Sequence, residues 1–270
     1  MASMNTTTRS PLVVERVRHP LQVRRLQVQR IDRVGASFLR IRFAGDALRG
    51  FVSASFDDHA KLMLPAQPGQ PLVLPEPGPD GLALPPGAQK PAMRDYTPRH
   101  FDAAAGVLDI EFVLHGDGVA SRWAEAAKPG DEVGLGGPRG SFVVPTGFDW
   151  HLLVGDETAI PAIARRLEEL PATAQAITVI ETGDAGDRRS FTTRAHLQTH
   201  WIETGLPDAL ARLVAALTLP AGEGFAWAAG EAASMVAVRQ ALVEGHGLDK
   251  ARVRASAYWK RGSAGHHETL

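Results

Sequence analysis

Arg94-Asp95-Tyr96-Thr97, which stands just before Pro98, is the most informative segment of this 270-residue chain. In an extended segment successive side chains point to opposite faces, so Arg94 and Tyr96 share one face and Thr97 opens onto the other. Arginine binds phosphate oxygens in a bidentate fork, and tyrosine stacks on flat rings at low entropic cost. The pair therefore suits a ligand that combines a diphosphate with an aromatic plane, as a flavin dinucleotide does.

Composition limits the classes of protein to which the chain can belong. Its 44% hydrophobic and 22% charged residues are ordinary for a globular protein, and a formal net charge of -1 gives no general reason to bind nucleic acid or an acidic membrane. The chain has no cysteine, which excludes disulfides, thiolate nucleophiles and Cys-ligated iron–sulfur clusters. Redox chemistry would therefore depend on a bound organic cofactor or a substrate metal.

The sequence also carries a prediction of location. No stretch approaches the roughly 20 apolar residues of a membrane span, so we expect no integral membrane association. Residues 1–10 lack the apolar core of a secretory signal, and we expect a frayed tail there. The expected location is the cytoplasm.

The first half of the chain has the pattern of a small antiparallel barrel. Residues 21–31 and 37–43 nearly alternate apolar with polar side chains and predict strands joined by a turn at 32–36. Further strands are predicted at residues 60–64, 93–97, 107–114, 133–135 and 141–144. Residues 65–91 are rich in Pro and Gly and predict a long surface loop, whereas residues 118–127 have helical spacing. Many short strands with one helix are typical of a barrel.

The pattern of apolar and polar residues changes near residues 146–150. Short apolar runs predict buried strands, and they alternate with helical segments. The predicted order is strand 151–154, helix 158–170, strand 176–180, strand 225–229, helix 232–244 and strand 252–259. This order implies a parallel sheet with crossover connections.

Two glycine-containing segments each end a predicted strand and begin a helix. Residues 115–123 read HGDGVASRW, and residues 155–162 read GDETAIPA. Glycines allow close backbone approach, and free N–H groups at a helix start attract phosphate. In the second segment Thr158 is a candidate N-cap and Pro161 fits the first turn.

Each of these segments alone also fits an ordinary strand–helix turn. Neither is a G-x-G-x-x-G dinucleotide fingerprint, and Asp156 and Glu157 could merely stabilise the helix dipole. A ligand over the carboxyl end of this strand is nevertheless what an open parallel sheet favours. Ala229-Gly230-Glu231 repeats the arrangement at the end of a later strand.

The residues that follow strand 176–180 bear on the choice of coenzyme. They include Glu181, Asp184, Asp187, Arg188 and Arg189. An acid at this place can bind ribose hydroxyls, whereas an arginine can bind a 2′-phosphate. Both types are present, so the choice stays open with a lean to NADPH from the arginine pair, and a solvated loop is an equal alternative.

The C-terminal segment Tyr258-Trp259-Lys260-Arg261 places two cations after two aromatic rings. Such a segment could cover a flavin or contact an anionic substrate. His266 and His267 are adjacent, and adjacent histidines without a spaced partner rarely build a metal site, so we expect no metal held by the protein. His59, His100 and His115 are expected to be structural or solvent-facing.

Together these motifs resemble the siderophore-interacting proteins, flavin-dependent ferric-siderophore reductases of the ferredoxin-reductase superfamily. The resemblance runs in order through RDYT at 94–97, HGDGVASRW at 115–123, GPRGSF at 137–142, GDETAIPA at 155–162, AGE at 229–231 and YWKRG at 258–262. It implies a six-stranded antiparallel FAD-binding barrel over residues 1–147 and a parallel-sheet NAD(P)H-binding α/β domain over residues 148–270. Val119 and Ile160 are small departures from the usual pattern.

The resemblance also implies roles for individual residues. Arg94 would bind FAD phosphate, Tyr96 would lie against the isoalloxazine, and Thr97 would place a hydroxyl near flavin N5. The other cofactor-binding candidates, by position in the motifs, are His115, Val119, Ala120 and Ser121 for FAD and Gly155, Asp156, Glu157, Thr158, Gly230 and Glu231 for the nicotinamide. Lys260 and Arg261 would face the ferric chelate.

The implied activity is flavin-dependent reduction of a ferric siderophore or other ferric chelate by NAD(P)H, with release of Fe(II). Siderophores hold Fe(III) through hard oxygen ligands that suit Fe(II) less well, so reduction releases the metal. No catalytic side chain is required, since the cofactor carries the chemistry. Two alternatives remain: another NAD(P)H–flavin reductase of the same superfamily, and a non-enzymatic siderophore-binding protein. The oligomeric state stays open.

Overall fold

A computed structural model describes residues 12–65, 67, 70–78, 81–116, 118–206, 208–263 and 267–270. The predicted tail at residues 1–10, together with Asp117 and His266, lies outside these residues. The described part folds around two large β-sheets, each of which corresponds to one half of the chain.

Elements of the first half are mostly short strands. In chain order they are β1 (Glu15–Arg18), β2 (Val23–Arg33), β3 (Phe38–Ala44), β4 (Ala60–Leu64), β5 (Glu76–Gly78), β6 (Gly81–Ala83), β7 (Ala92–Tyr96), β8 (His100–Asp102), β9 (Val107–Val113), α1 (Val119–Ala126), β10 (Glu132–Gly136) and β11 (Gly140–Val143). Seven of the strands form an antiparallel sheet in the order β7-β4-β10-β2-β3-β9-β8.

Alternation of side chains explains why this sheet has one apolar face. In β2 the side chains of Leu26 and Val28 are buried, while those of Arg25 and Gln27, which alternate with them, are exposed. The buried positions of β2, β3, β4, β9 and β10 form one hydrophobic core, and Trp123 of α1 packs against it. The helix therefore closes the inner face of the sheet.

The sheet curls because its two edges are adjacent in sequence. The chain leaves edge strand β7 at Tyr96 and enters the opposite edge strand β8 at His100, so residues 97–99 must span from one edge to the other. The predicted antiparallel barrel is confirmed as a curled half-barrel. It has seven strands instead of six, since residues 100–102 form a short additional strand, and residues 65–91 contain the hairpin β5–β6 instead of loop alone.

Elements of the second half alternate strands and helices. They are β12 (Trp150–Gly155), α2 (Ile160–Glu169), β13 (Gln175–Thr182), β14 (His196–Glu203), α3 (Ala209–Ala216), β15 (Gly224–Glu231), α4 (Ala232–Gln240), β16 (Val253–Trp259) and β17 (Glu268–Thr269). The sheet order is β14-β13-β12-β15-β16-β17, parallel except for the antiparallel pair β16–β17. The predicted parallel-sheet domain is confirmed. Among the described residues no helix is long and apolar enough to span a membrane.

Strand β14 and helix α3 were not predicted from the sequence. Strand β14 is an edge strand that pairs only with β13, and most of its side chains are half-buried or exposed. It therefore lacks the continuous apolar run by which the central strands were found.

A buried carboxylate joins the two halves of the molecule. Glu111 of β9 has no exposed side-chain surface, and its oxygens lie 2.6 Å from Arg40 Nη2 and 3.0 Å from Arg189 Nη1. Arg99 lies 3.5 Å away and also forms a two-bond ion pair with Glu168 of α2. Because Arg189 and Glu168 belong to the second half, this cluster fixes one sheet against the other.

Asp57 forms a second link between the sheets. Its carboxylate accepts a 2.9 Å hydrogen bond from Trp227 Nε1 of β15 and a bond from the Arg254 guanidinium of β16. Around it, Phe38 and Phe56 of the first half share a hydrophobic core with residues of α2 such as Ile163. The junction is therefore both apolar and ionic.

We expect Glu111→Gln to lower the free energy of unfolding by about 3 kcal/mol, because removal of one partner leaves buried cations uncompensated. Chemical denaturation followed by tryptophan fluorescence measures the change. Glu132→Gln is the matched control: Glu132 pairs with Arg25 on the surface, so its loss should cost less than about 1 kcal/mol. Equal effects of the two substitutions would show that the buried cluster does not hold the sheets together.

Candidate cofactor site at the junction of the two sheets

Arg94 and Tyr96 of the RDYT motif, on which the prediction of a flavin rests, lie on the edge strand β7. Arg94 and Tyr96 are both half-buried, and Arg94 Nη1 donates a 2.7 Å hydrogen bond to the carbonyl of Met93. The ring of Tyr96 packs on Phe112, with 4.5 Å between ring centroids. Burial raises the pKa of the Tyr96 phenol, and the nearby charge of Arg94 opposes the rise. A neutral ring and a cation thus lie side by side.

The start of α1 supplies unused hydrogen-bond donors. Gly118 precedes the helix and no side chain caps it, so the first backbone N–H groups, including those of Val119 and Ala120, have no partner within the helix. The hydroxyl of Ser121 is buried and has no hydrogen-bond partner in the part of the chain that the structure describes. Unused donors at a helix N-terminus fit an anionic diphosphate, so these residues fit FAD.

Thr97 lies where the first sheet meets the second. It is buried, and it lies near Tyr258 of β16, whose hydroxyl lies 3.4 Å from Asp57 Oδ1. Burial and the charge of Asp57 raise the pKa of Tyr258. Thr97 therefore lies beside a neutral phenol from the opposite half of the molecule.

Asp156 is the centre of the carboxyl edge of the parallel sheet. Its Oδ1 accepts bonds from the backbone N–H of Thr158 at 2.9 Å and from the Thr158 hydroxyl at 2.5 Å. Its Oδ2 accepts bonds from Glu231 N at 2.9 Å and Trp259 Nε1 at 2.8 Å. Burial raises the pKa of Asp156, and these four bonds oppose the rise. The carboxylate holds β12, β15 and the C-terminal segment together.

The predicted N-cap at Thr158 is wrong. Asp156 caps the short turn Glu157–Ala159, and α2 begins only at Ile160 with Pro161 in its first turn. The Asp156 carboxylate accepts from the N–H two residues ahead, and the Thr158 hydroxyl donates back to the same oxygen, so Thr158 is not free to cap the helix.

His115 and the GDET segment face each other across the junction of the two halves. Glu157 is half-buried, and its Oε1 accepts a 2.5 Å bond from Gly183 N. Burial raises the pKa of Glu157, and the nearby His115 side chain opposes the rise. His115 belongs to the first half and is exposed. The structure thus brings His115 and the GDET segment to opposite sides of one junction.

Glycine is required where β12 and β15 end. A Cβ atom on Gly155 would lie 2.3 Å from the carbonyl oxygen of Ala229, and one on Gly230 would lie 2.6 Å from Asp156 Oδ2. Glu231 caps α4 by accepting bonds from Ala233 N and Ser234 N. Glycine is therefore required at positions 155 and 230 by close packing within the protein.

The two C-terminal cations differ in their surroundings. The backbone N–H of Arg261 lies 3.3 Å from Glu231 Oε1, which ties this residue to the predicted nicotinamide side. Lys260 is exposed in a turn that is closed by pairing with Ser263, and the described residues show no contact of its side chain with another predicted site residue. Only Arg261 is thus tied to the other candidates.

Sequence reasoning missed Asp57, Glu111 and Arg254, which position the site without belonging to its motifs. Asp57 stands beside a second acid, Asp58, directly after Phe56, and a charged pair in an apolar context is a signal of buried partners. The Asp58 carboxylate accepts a 2.8 Å bond from Ser141 within the GPRGSF segment, which shows what that motif does in the fold.

Comparison with known proteins agrees with this arrangement. The family model described as siderophore-interacting FAD-binding domain matches residues 27–142, and the model described as siderophore-interacting protein matches residues 148–262. The chain belongs to the siderophore-interacting protein family. The family resemblance stated from the motifs is confirmed.

Several members of the siderophore-interacting protein family are similar over nearly the whole chain. The NADPH-dependent ferric-chelate reductase of Escherichia coli (strain K12) is 41% identical over 95% of this chain and 99% of its own length. The ferric vibriobactin reductase ViuB of Vibrio cholerae is 33% identical over 85% of this chain and 86% of its own. A crystal structure of a siderophore utilization protein from T. fusca is 35% identical with a TM-score of 0.85, covering 94% of this chain and 98% of that one.

Asp156→Asn should lower the free energy of unfolding by about 2 kcal/mol, because the new amide would point a donor at the N–H groups of Glu231 and Trp259. Thermal and chemical denaturation measure the loss. Asp249→Asn is the control, since Asp249 caps an exposed turn by one bond to Ala251 N and asparagine caps equally well. Wild-type stability of Asp156→Asn would mean that the carboxyl edge does not rely on this carboxylate.

Proposed function

We propose that the protein reduces ferric siderophores, or other ferric chelates, with NAD(P)H as electron donor and FAD as cofactor, releasing Fe(II). The observation that carries the proposal is the start of α1, where uncapped backbone N–H groups and the buried Ser121 hydroxyl, which has no partner among the described residues, fit an anionic diphosphate. Asp57 joins this half of the chain to β15 and β16 of the parallel sheet, at whose carboxyl edge coenzymes bind in folds of this kind. When bound, FAD supplies the conversion of a two-electron hydride donor into single-electron steps to Fe(III).

On the flavin side, the chain's own groups bind and orient. Arg94 pairs with phosphate oxygens, and the free donors at the start of α1 hold the diphosphate through Val119, Ala120 and Ser121. Tyr96 lies beside the isoalloxazine, and Thr97 places its hydroxyl near N5. None of these groups needs to gain or lose a proton during the reaction.

On the nicotinamide side, Gly155 and Gly230 let the ends of β12 and β15 pack closely, and this edge would border the ring. Asp156 and Thr158 shape this edge through their hydrogen bonds, while Glu157, Glu231 and His115 border it. The partner groups of Asp156 already occupy its carboxylate, so its contribution is positioning.

The ferric chelate is assigned to Lys260 and Arg261, whose positive charges suit an anionic chelate. Reduction weakens the hold of hard oxygen ligands on iron, so the chelate needs no further chemistry to release Fe(II).

We also propose that the two domains divide between residues 147 and 148. The proposed location is the cytoplasm, since NAD(P)H is an intracellular reductant.

Tyr96→Ala should lower the fraction of protein that carries FAD or slow flavin reduction, because the ring that packs on Phe112 and borders the flavin is removed. Flavin absorbance relative to protein absorbance gives occupancy, and a dye that traps Fe(II) gives turnover with NAD(P)H. Tyr96→Phe is the control that keeps the ring and should keep occupancy. Unchanged occupancy and turnover in Tyr96→Ala would remove this residue from the site, and a colourless wild-type protein that refuses FAD would remove the function.

Lys260→Ala should raise KM for an anionic ferric chelate by about threefold and leave kcat unchanged, as expected for loss of one exposed charge. Steady-state Fe(II) release at varied chelate concentration measures the effect. Lys250→Ala is the matched control, because Lys250 is exposed near the opposite end of β16. The assignment of Lys260 fails if both variants keep the wild-type KM.

A further inference from the structure

The coenzyme choice that the sequence left open depends on the residues after β13. In the sheet order β14-β13-β12-β15, strand order reverses between β12 and β15, and a dinucleotide bound there extends its adenosine half toward the end of β13. Gly155 pairs with Ile180, so Glu181 is the first residue of β13 beyond the end of β12. It stands where an acid binds ribose hydroxyls or an arginine binds a 2′-phosphate.

Arg189, one of the two arginines that favoured NADPH in the sequence, is bound to another part of the protein. The guanidinium of Arg189 lies 3.0 Å from Glu111 and 4.5 Å from the ring centroid of Phe38, and its side chain is only 17% exposed. It belongs to the buried cluster that joins the two sheets. Removing it to bind a phosphate would leave the Glu111 charge partly uncompensated, which is costly for a buried ion.

Arg188 is the other arginine of the pair, and it is balanced by a carboxylate. The third arginine of this loop, Arg194, stands two residues before β14 begins and therefore lies at the amino edge of the sheet, the opposite edge from Glu181. Arg188 Nη2 lies 3.1 Å from Glu203 Oε1 at the end of β14, and the Arg188 side chain is 35% exposed. An exposed pair of this kind is weak, so Arg188 could turn to a ligand. A 2′-phosphate bound by Arg188 would then lie beside the Glu203 carboxylate.

Glu181 itself is placed to accept hydrogen bonds. It is half-buried at the end of β13, directly after Ile180, the pairing partner of Gly155. The charges of Asp156, Glu157 and Arg261 act on it. Two ribose hydroxyls can donate to its carboxylate lone pairs, whereas a phosphate brings further negative charge.

We infer that Glu181 binds the adenosine ribose of the coenzyme and makes this chain prefer NADH to NADPH. The inference rests on the proposed function, since it names the donor for the same site. It also separates this chain from the similar ferric-chelate reductase of E. coli, whose name specifies NADPH.

Binding tests the inference apart from turnover. For the FAD-loaded protein, calorimetric titration with ADP-ribose and with 2′-phospho-ADP-ribose should show at least about tenfold tighter binding of ADP-ribose, because like charges disfavour the phosphorylated ligand. Glu181→Gln should bring the ratio close to one. Glutamine has nearly the same size and keeps a carbonyl acceptor, so the fold is expected to persist, and FAD occupancy with the unfolding midpoint verifies this. Glu181→Arg should invert the ratio.

Two controls make the test specific. Glu244→Gln removes the same charge from the turn after α4, where Glu244 bonds Gln240, and should leave the ratio unchanged. Arg188→Ala should also leave the preference for ADP-ribose intact. Tighter binding of the phosphorylated ligand to the wild type, or a ratio that Glu181→Gln does not change, overturns the inference.

Flavin reduction followed anaerobically with each coenzyme gives the second readout, and kcat/KM for NADH should exceed that for NADPH by a similar factor. A reversed preference would refute the role of Glu181 and leave the proposed reductase activity intact. Failure of both coenzymes to reduce the flavin would instead refute the proposed function, while the binding ratio would still decide the role of Glu181.

Discussion

Everything the proposed chemistry requires depends on how firmly the two sheets are joined. Hydride transfer demands reacting atoms within about 3.5 Å, and here the two rings would be held by different halves of one chain. The junction meets this demand with buried charges: Asp57 binds Trp227 and Arg254, and Glu111 binds Arg189. A buried ion pair adds little net stability, but it tolerates few alternative arrangements. It therefore suits a junction that must keep one geometry.

Hydrogen bonds within the protein occupy several polar groups of the candidate site. Four donors bind the two oxygens of the buried Asp156 carboxylate. Glu231 is occupied in capping α4. Among the described residues, groups at the start of α1 keep unused hydrogen-bonding capacity, and an anion would bind there. These polar groups thus hold the backbone segments of the site in place, and orientation of the cofactor is what a cofactor-based reaction requires of a protein.

Local sequence patterns predicted most helices and strands and the motifs, whereas contacts between residues far apart in the sequence could not be predicted. The alternation in β2 and the apolar run in β12 report burial directly, so the two sheets followed from them. Edge strand β14 did not, since burial there is partial. The partners of Asp57 lie 170 and 197 positions away, at a separation that no periodicity encodes. The error at Thr158 was local: aspartate and threonine both cap, and the sequence does not show which side chain turns inward.

Arginine illustrates why a residue type near a motif is weak evidence for a ligand. Arg189 sits in the loop that follows β13, yet its charge is used by Glu111. Arg165, on the helix after the GDET segment, is likewise bound to the backbone of Ser53 and Pro98 in the other half. A guanidinium that satisfies buried acceptors cannot be moved to a phosphate without leaving them unpaired. In the proposed site, anions would therefore bind to backbone N–H groups and to the more exposed cations. The coenzyme preference would depend on the charge of Glu181 at the end of β13.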